Sequence, residues 1–298
     1  MIEANKFIVT SHGWSASNWL ATALDLHKEI TCAHSAGLVL PGAGGYDPRA
    51  EDAISKKNVL HGRHNYSLKD HFEKVFELRP SKVIGSVHRY RMRDLPNLLK
   101  EQHHSEAISF KLMNLIRHPV SLVSSGASQF TEMAARNPFI RIEIMNFFSK
   151  QRHFYANLAD RFDLDLCDWP TLSFLAAAQH QIILRHDQEC MGSVTNILME
   201  RITTQPDYFL KIANQLVSHS IEIDEAYVDE VFSLGRVNRH QLATDEKVSS
   251  QAEDRFSSWA DWQRAAFTHF LKVSKLQPAY EQLGYDFSFV LETSSYPG

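Results

Sequence analysis

Short apolar runs, Phe7 to Thr10, Val83 to Val87, Leu112 to Ile116 and Asn196 to Met199, alternate along the chain with longer stretches whose apolar residues recur at helical spacing. Runs this short and this uniformly apolar suit strands buried on both faces, and the alternation predicts a parallel sheet covered by helices on either side. Helices are expected from Trp19 to Leu26, Asp207 to Val217 and Trp259 to Leu276. From Glu132 to Gln188 the strand pattern stops and amphipathic helices take over, including Phe139 to Leu158 and Leu172 to Arg185. That reads as a helical insertion over about residues 132–190 of a single domain spanning 1–298, placed to shape substrate access. Its aromatic residues Phe147, Phe148, Phe154 and Tyr155 suit a core better than an acceptor contact. The glycine-rich stretch from Pro41 to Pro48 reads as a loop within the same pattern, and Arg236 to Ser258 as a polar loop with little apolar periodicity.

Two strands run into unusual turns. After Phe7-Ile8-Val9-Thr10 come Ser11, His12, Gly13, Trp14, Ser15, Ala16, Ser17 and Asn18, and then the helical run that begins at Trp19. Small and hydroxyl residues between a strand and a helix point backbone N–H groups and the positive helix end at whatever sits above the sheet edge, which suits a phosphate or sulfate. With a single glycine the turn is neither a Walker A loop nor a dinucleotide fingerprint. An ordinary connection with a serine-rich N-cap is the alternative reading. After Leu112 to Ile116 comes Arg117, then Pro119 at a helix start, with Ser121, Ser125 and Ser128 on one helix face. A guanidinium fork at a strand end and a serine about two turns into the next helix can hold one phosphate from two sides. The alternative is a surface arginine beside small residues that let the helix pack close to the sheet. Two such turns together suit a ligand phosphorylated at two ends. If the strands are parallel neighbours, Ser11, His88 and Arg117 all stand beyond the carboxyl ends, where ligands bind in sheets of this kind.

Composition narrows the partners. The chain of 298 residues is 44% hydrophobic and 22% charged, long enough for one large core, and its formal net charge of −4 argues against a general nucleic-acid binder, for which a basic stripe would be expected. Local cations must then make the anion site. Cys32, Cys167 and Cys190 show no paired spacing, which favours reduced thiols over a disulfide frame. No run of about 18 apolar residues suggests a membrane span. The first residues lead straight into a strand with no basic region and apolar core of a secretory leader, so a soluble cytoplasmic protein is expected. Sixteen histidines, including His61, His64, His103, His104 and His186, show no ligand spacing, and no metal is expected.

The two turns together resemble the nucleotide-binding motifs of sulfotransferases that use 3′-phosphoadenosine 5′-phosphosulfate (PAPS). The resemblance implies a P-loop NTPase-like α/β fold, a parallel sheet flanked by helices. In that family the first loop, here Ser11, Gly13, Trp14, Ser15, Ala16, Ser17 and Asn18, holds the 5′-phosphosulfate, with Trp19 near the adenine. The second motif is an Arg followed eight positions later by a Ser, matched here by Arg117 and Ser125, and it holds the 3′-phosphate. The run Lys82 to Tyr90 resembles the strand that ends in a catalytic histidine, which makes His88 the implied general base. Arg236 and Arg239 match a late loop that folds over the 3′-phosphate, and Leu276 to Phe287 is similar to a closing helix. One departure stands out. The family's first loop carries a Lys or Arg beside the bridging oxygen, and the matching position here is Trp14, which leaves His12 as the first candidate for that role and Arg89 or Arg91 behind it.

The expected activity is therefore transfer of a sulfuryl group from PAPS to an acceptor hydroxyl on a carbohydrate or small molecule, leaving adenosine 3′,5′-bisphosphate (PAP). Two alternatives stay open. Trp14 favours a non-catalytic nucleotide- or glycan-binding protein of the same fold, and a P-loop kinase is disfavoured by the missing Gly-Lys-Ser/Thr motif.

Overall fold

The structure is a computed structural model that describes residues 4–11, 15–35, 68–88, 109–179, 192–233 and 252–292. Five strands form its sheet: β1 (Asn5–Ser11), β2 (Ile30–Ser35), β3 (Val83–His88), β4 (Lys111–Ile116) and β5 (Thr195–Leu198). All pairings are parallel and the order is β2-β3-β1-β4-β5, so the expected P-loop-like α/β sheet forms with β1 at its centre. Four of the strands fall on the predicted runs. The fifth, β2, did not stand out, because Ile30-Thr31-Cys32-Ala33-His34-Ser35 mixes small, polar and β-branched residues without a clear period.

The chain divides into two compact units, residues 1–117 with 189–244, and residues 118–188 with 245–298. In the first, α1 (Ser17–Asp25) follows β1, α2 (Leu68–Leu78) precedes β3, and α7 (Met199–Ile202), α8 (Pro206–Leu216) and α9 (Glu225–Ser233) follow β5. Period-2 alternation sends Phe7 and Val9 of β1 into one core with Leu20 and Leu24 of α1, Phe209 and Ile212 of α8 and Val228 of α9. Ile8 and Thr10, on the other face, are equally buried. Arg79, just past α2, bonds Asp25, His27, Ile30 and Thr31, and so ties the end of α1 to the start of β2. Tyr227 of α9 donates to the Ala23 carbonyl at 2.8 Å, and burial pushes its phenol well above the usual range, so it stays a donor.

The second unit is helical where described: α3 (Pro119–Arg136), α4 (Pro138–Lys150), α5 (Arg152–Phe162), a helix α6 over residues 169–179, α10 (Ala252–Ser257), α11 (Asp261–Ser274), α12 (Gln277–Glu281) and α13 (Ser288–Glu292). Three expectations are corrected here. The single helix from Phe139 to Leu158 breaks at Gln151, whose backbone is non-helical, to give α4 and α5. Part of the polar loop from Arg236 to Ser258 is the helix α10, whose Phe256 is buried against Trp259 and Phe267. The closing stretch from Leu276 to Phe287 is the short α12 followed by a turn through Gly284 rather than one helix. Of the four aromatic residues expected in the core of the insertion, Tyr155 is fully buried, half-buried Phe148 stacks on it at 4.9 Å, half-buried Phe154 stacks on His269 at 3.8 Å, and half-buried Phe147 lies beside the Lys150 ammonium.

Candidate active site

The parallel register brings three candidate positions to one rim. Thr10 lies opposite His88 and Ser11 opposite Leu115, so the ends of β3 and β4 flank the end of β1, and Arg117 stands one residue past β4. His88 is the last residue of β3; its backbone position is described, and its side chain lies outside the described part.

The first turn takes its form from Ala16. This residue is the N-cap of α1 and sits in the left-handed region at φ 57°. Because its methyl side chain offers no oxygen to the N–H groups of the first turn, the serine-capped alternative does not form. No acidic residue occupies the first turn of α1 either. Such a helix start presents backbone donors and positive dipole with no carboxylate of its own to satisfy them. Ser15 and Ser11 are buried, Ser17 is the first residue of α1, Asn18 is exposed, and Ser17 Oγ lies 3.1 Å from His34 Nε2 on β2. Trp19 is 8% exposed and makes edge contacts with Phe209 and Phe232 at 6.0 and 6.1 Å, so most of its ring serves the core.

The helix after Arg117 differs. Its N-cap is His118, whose Nδ1 accepts from the Val120 N–H at 3.2 Å. With that nitrogen accepting, Nε2 carries the proton and donates to the Asp286 carbonyl at 2.9 Å. The ring is also packed among Tyr285, Phe287 and Phe289. The start of α3 is thus closed by a side chain where the start of α1 is not. Ser125 lies on α3, half-buried, in the second unit.

His12, Gly13, Trp14, Arg89, Arg91, Arg236, Arg239 and the loop from Pro41 to Pro48 lie outside the described residues, as do His61, His64, His103, His104 and His186. Among the described residues no group of three His, Cys, Asp or Glu side chains could hold a metal ion, and no helix is long and apolar enough to cross a membrane. Cys32 and Cys167 are free thiols.

Beneath the rim runs a polar ladder that the sequence reading passed over. Thr10 Oγ1 donates to Asn114 Oδ1 at 2.9 Å, and Asn114 Nδ2 donates to Asn196 Oδ1 at 3.0 Å, linking β1, β4 and β5. Thr10 and Asn114 are fully buried, so the ladder fixes the relative height of the strand ends that carry Ser11 and Arg117. An asparagine inside an otherwise apolar strand was its signal. On the outer side of β3, Ser86 meets His71 of α2 at 2.7 Å. His71 is fully buried, and desolvation lowers its pKa from 6.5 to about 3, so it is neutral. A cavity of about 520 Å³, lined by Lys6, Lys82, Lys111 and Ser218 among others, opens at the opposite, amino-terminal rim. It is far along the strands from the turn chemistry, and the strand carboxyl ends are the better candidate site.

No protein-family model matches the chain, and no curated protein matches it in sequence. Solved structures do resemble it. Mouse sulfotransferase SULT7A1 complexed with PAP is 12% identical at a TM-score of 0.46, over 94% of this chain and 88% of that one. A sulfotransferase from Alicyclobacillus acidocaldarius is 14% identical at 0.46, over 98% and 100%. The sulfotransferase domain of the Synechococcus PCC 7002 olefin synthase is 14% identical at 0.44, over 96% and 97%.

Proposed function

We propose that the protein transfers a sulfuryl group from PAPS to an acceptor hydroxyl. The observation that carries this reading is the start of α1, which among the described residues has no side-chain cap and no carboxylate in its first turn, and which follows β1, the strand whose end lies by register between the strand ends that bear His88 and Arg117. The N–H groups from Ser15 to Asn18 would hold the 5′-phosphosulfate, and the Arg117 guanidinium the 3′-phosphate. His88 would take the acceptor's proton, a role that typically contributes ~10²–10⁴-fold. When bound, the nucleotide supplies the sulfuryl group: the bond from sulfur to the bridging oxygen breaks with its electron pair left on the phosphate, while the acceptor oxygen bonds to sulfur. Donors fixed around the first turn would stabilise that departing charge without reorganising.

The test pairs two variants. His88→Ala should lower turnover of PAPS by roughly 10²-fold or more with little change in the dissociation constant for PAP, whereas Arg117→Ala should weaken PAP binding. Equal loss of turnover and affinity in His88→Ala removes the base assignment, and an unchanged PAP dissociation constant in Arg117→Ala removes the second motif. A second reading, a nucleotide- or glycan-binding protein without catalysis, is favoured by Trp14 at the position of the usual first-loop cation. PAP binding with no sulfate transfer to any hydroxyl acceptor would select it.

A further inference from the structure

The missing first-loop cation has a replacement within the described residues, and it comes from a different strand. The geometry points to His34 of β2 as a positioning residue that, when protonated, charges the Ser17 hydroxyl for the anion held at the start of α1. This rests on the sulfuryl-transfer reading and deepens it.

Three observations converge. Ser17 opens α1, so its own N–H belongs to the set that would bind the anion. Its Oγ lies 3.1 Å from His34 Nε2, a hydrogen-bond distance. His34 pairs in register with Val87 and is followed by Ser35, the partner of His88, so it stands at the same carboxyl rim as the candidate base. One hydroxyl therefore separates the imidazole from the proposed anion site.

Chemistry gives that arrangement two states. With a neutral ring, Nε2 can either accept the Ser17 proton or donate to its oxygen, depending on tautomer. With an imidazolium, Nε2 donates, the Ser17 oxygen becomes the acceptor, and the hydroxyl proton is released to point at an anion oxygen. A charge-assisted bond on one side of a hydroxyl polarises the bond it makes on the other. An anion arriving at the start of α1 favours the charged ring, so binding raises the His34 pKa and takes up a proton. In the transfer step no proton moves through this pair; the imidazolium and hydroxyl stay bonded while charge grows on the phosphate oxygen.

Among the described residues, the elements packed most closely against β2 are α1, α2 and β3. Their titratable and charged groups are Asp25 on α1, Lys69, Asp70, His71, Glu73, Lys74 and Glu77 on α2, and His88 on β3. Asp25 is engaged by Arg79 and by the N–H of Cys32, two residues before His34 on β2. His71 is engaged by Ser86, and Lys69 with Glu73 and Lys74 with Glu77 pair along the helix surface.

The experiment is calorimetric titration of PAP into the wild-type protein, His34→Gln and His34→Lys between pH 6 and pH 8.5, in two buffers of different ionisation enthalpy. Titration of the PAP phosphates is common to all three proteins, so the differences report His34. Wild-type affinity should fall by about tenfold more than that of His34→Gln across this range. His34→Gln should bind about as weakly as the wild type at pH 8.5 and about tenfold more weakly than it at pH 6, with less proton uptake there. His34→Lys should share the pH slope of His34→Gln yet bind about as tightly as the wild type at pH 6, a rescue that a purely structural role would not give. Parallel pH slopes for wild type and His34→Gln overturn the role of His34 and leave the nucleotide site standing. A folded His34→Lys, checked by its melting temperature, that binds no better than His34→Gln at pH 8.5 overturns it as well. Absence of any PAP binding by the wild type overturns the sulfuryl-transfer reading, and this inference with it.

Discussion

Phe7 and Gly85, register partners on β1 and β3, stand so close that a Cβ at position 85 would lie 2.4 Å from the Phe7 ring. The ring is fully buried in the core shared with α1 and α8. Glycine is needed here for space, and the backbone at Gly85 is ordinary strand.

Gly85→Ala should therefore destabilise the protein by roughly 1–3 kcal/mol, the usual range for overpacking a core. Phe7→Leu in the same chain should recover part of that loss, since it removes the atoms the new methyl meets. Urea unfolding of the two single variants and the double variant measures the coupling. Additive effects would show that the strain lies somewhere other than this contact.

His71 makes stability depend on pH. In the unfolded chain it titrates near its ordinary 6.5, whereas burial holds it near 3 in the fold. Between those values the unfolded state binds more protons, so stability rises with pH through the window and is lost as pH falls from about 6.5 toward 3. The slope from this one group approaches about 1.4 kcal/mol per pH unit. His71→Gln keeps a partner for Ser86 and removes the titration. Its stability relative to wild type should improve on going from pH 7 to pH 5, as read from denaturation midpoints. A difference that does not change with pH would mean that His71 does not carry the acid sensitivity.

Much of the sheet was legible because its strands are buried on both faces, and continuous apolar runs such as Phe7 to Thr10 and Leu112 to Ile116 have few other uses. β2 was not, since Cys32, Ala33, His34 and Ser35 have weak strand preference and pair only because β3 supplies the edge. The break at Gln151 carries no glycine or proline, so periodicity ran through it. At the candidate site, the strand ends and the Pro119 helix start could be read from local signals. The contacts of Ser17 with His34 and of Thr10 with Asn114 join residues whose separation in the chain only topology closes.

Ala16 holds a conformation that costs an L-residue roughly 1–2 kcal/mol relative to glycine. Ala16→Gly should raise stability if relief of that strain exceeds the added flexibility of the unfolded chain, for a net gain of up to about 1 kcal/mol. In the proposed enzyme the same change loosens the first turn, so PAP affinity should fall while the melting temperature rises. A variant that gains stability and affinity together would show that the alanine plays no part in holding the turn ready.

Asn114 occupies the middle of the ladder from Thr10 to Asn196 and bonds both. Asn114→Ala removes two hydrogen bonds at once and leaves polar atoms of Thr10 and Asn196 with fewer partners, so a loss of roughly 1–3 kcal/mol for each atom left unsatisfied is expected. Thr10 can still donate to the Met113 carbonyl at 3.3 Å, which places most of the penalty on Asn196. Thr10→Val combined with Asn114→Leu replaces both members of the first pair by apolar groups and should cost less than the sum of the single changes, because each single change already breaks the bond they share. Neither change touches the residues proposed to bind nucleotide, yet both release the strand ends that carry Ser11 and Arg117. PAP affinity should therefore fall with Asn114→Ala even at temperatures where the variant is fully folded. Unaltered affinity in a destabilised Asn114→Ala protein would confine the ladder to stability and separate it from the candidate site.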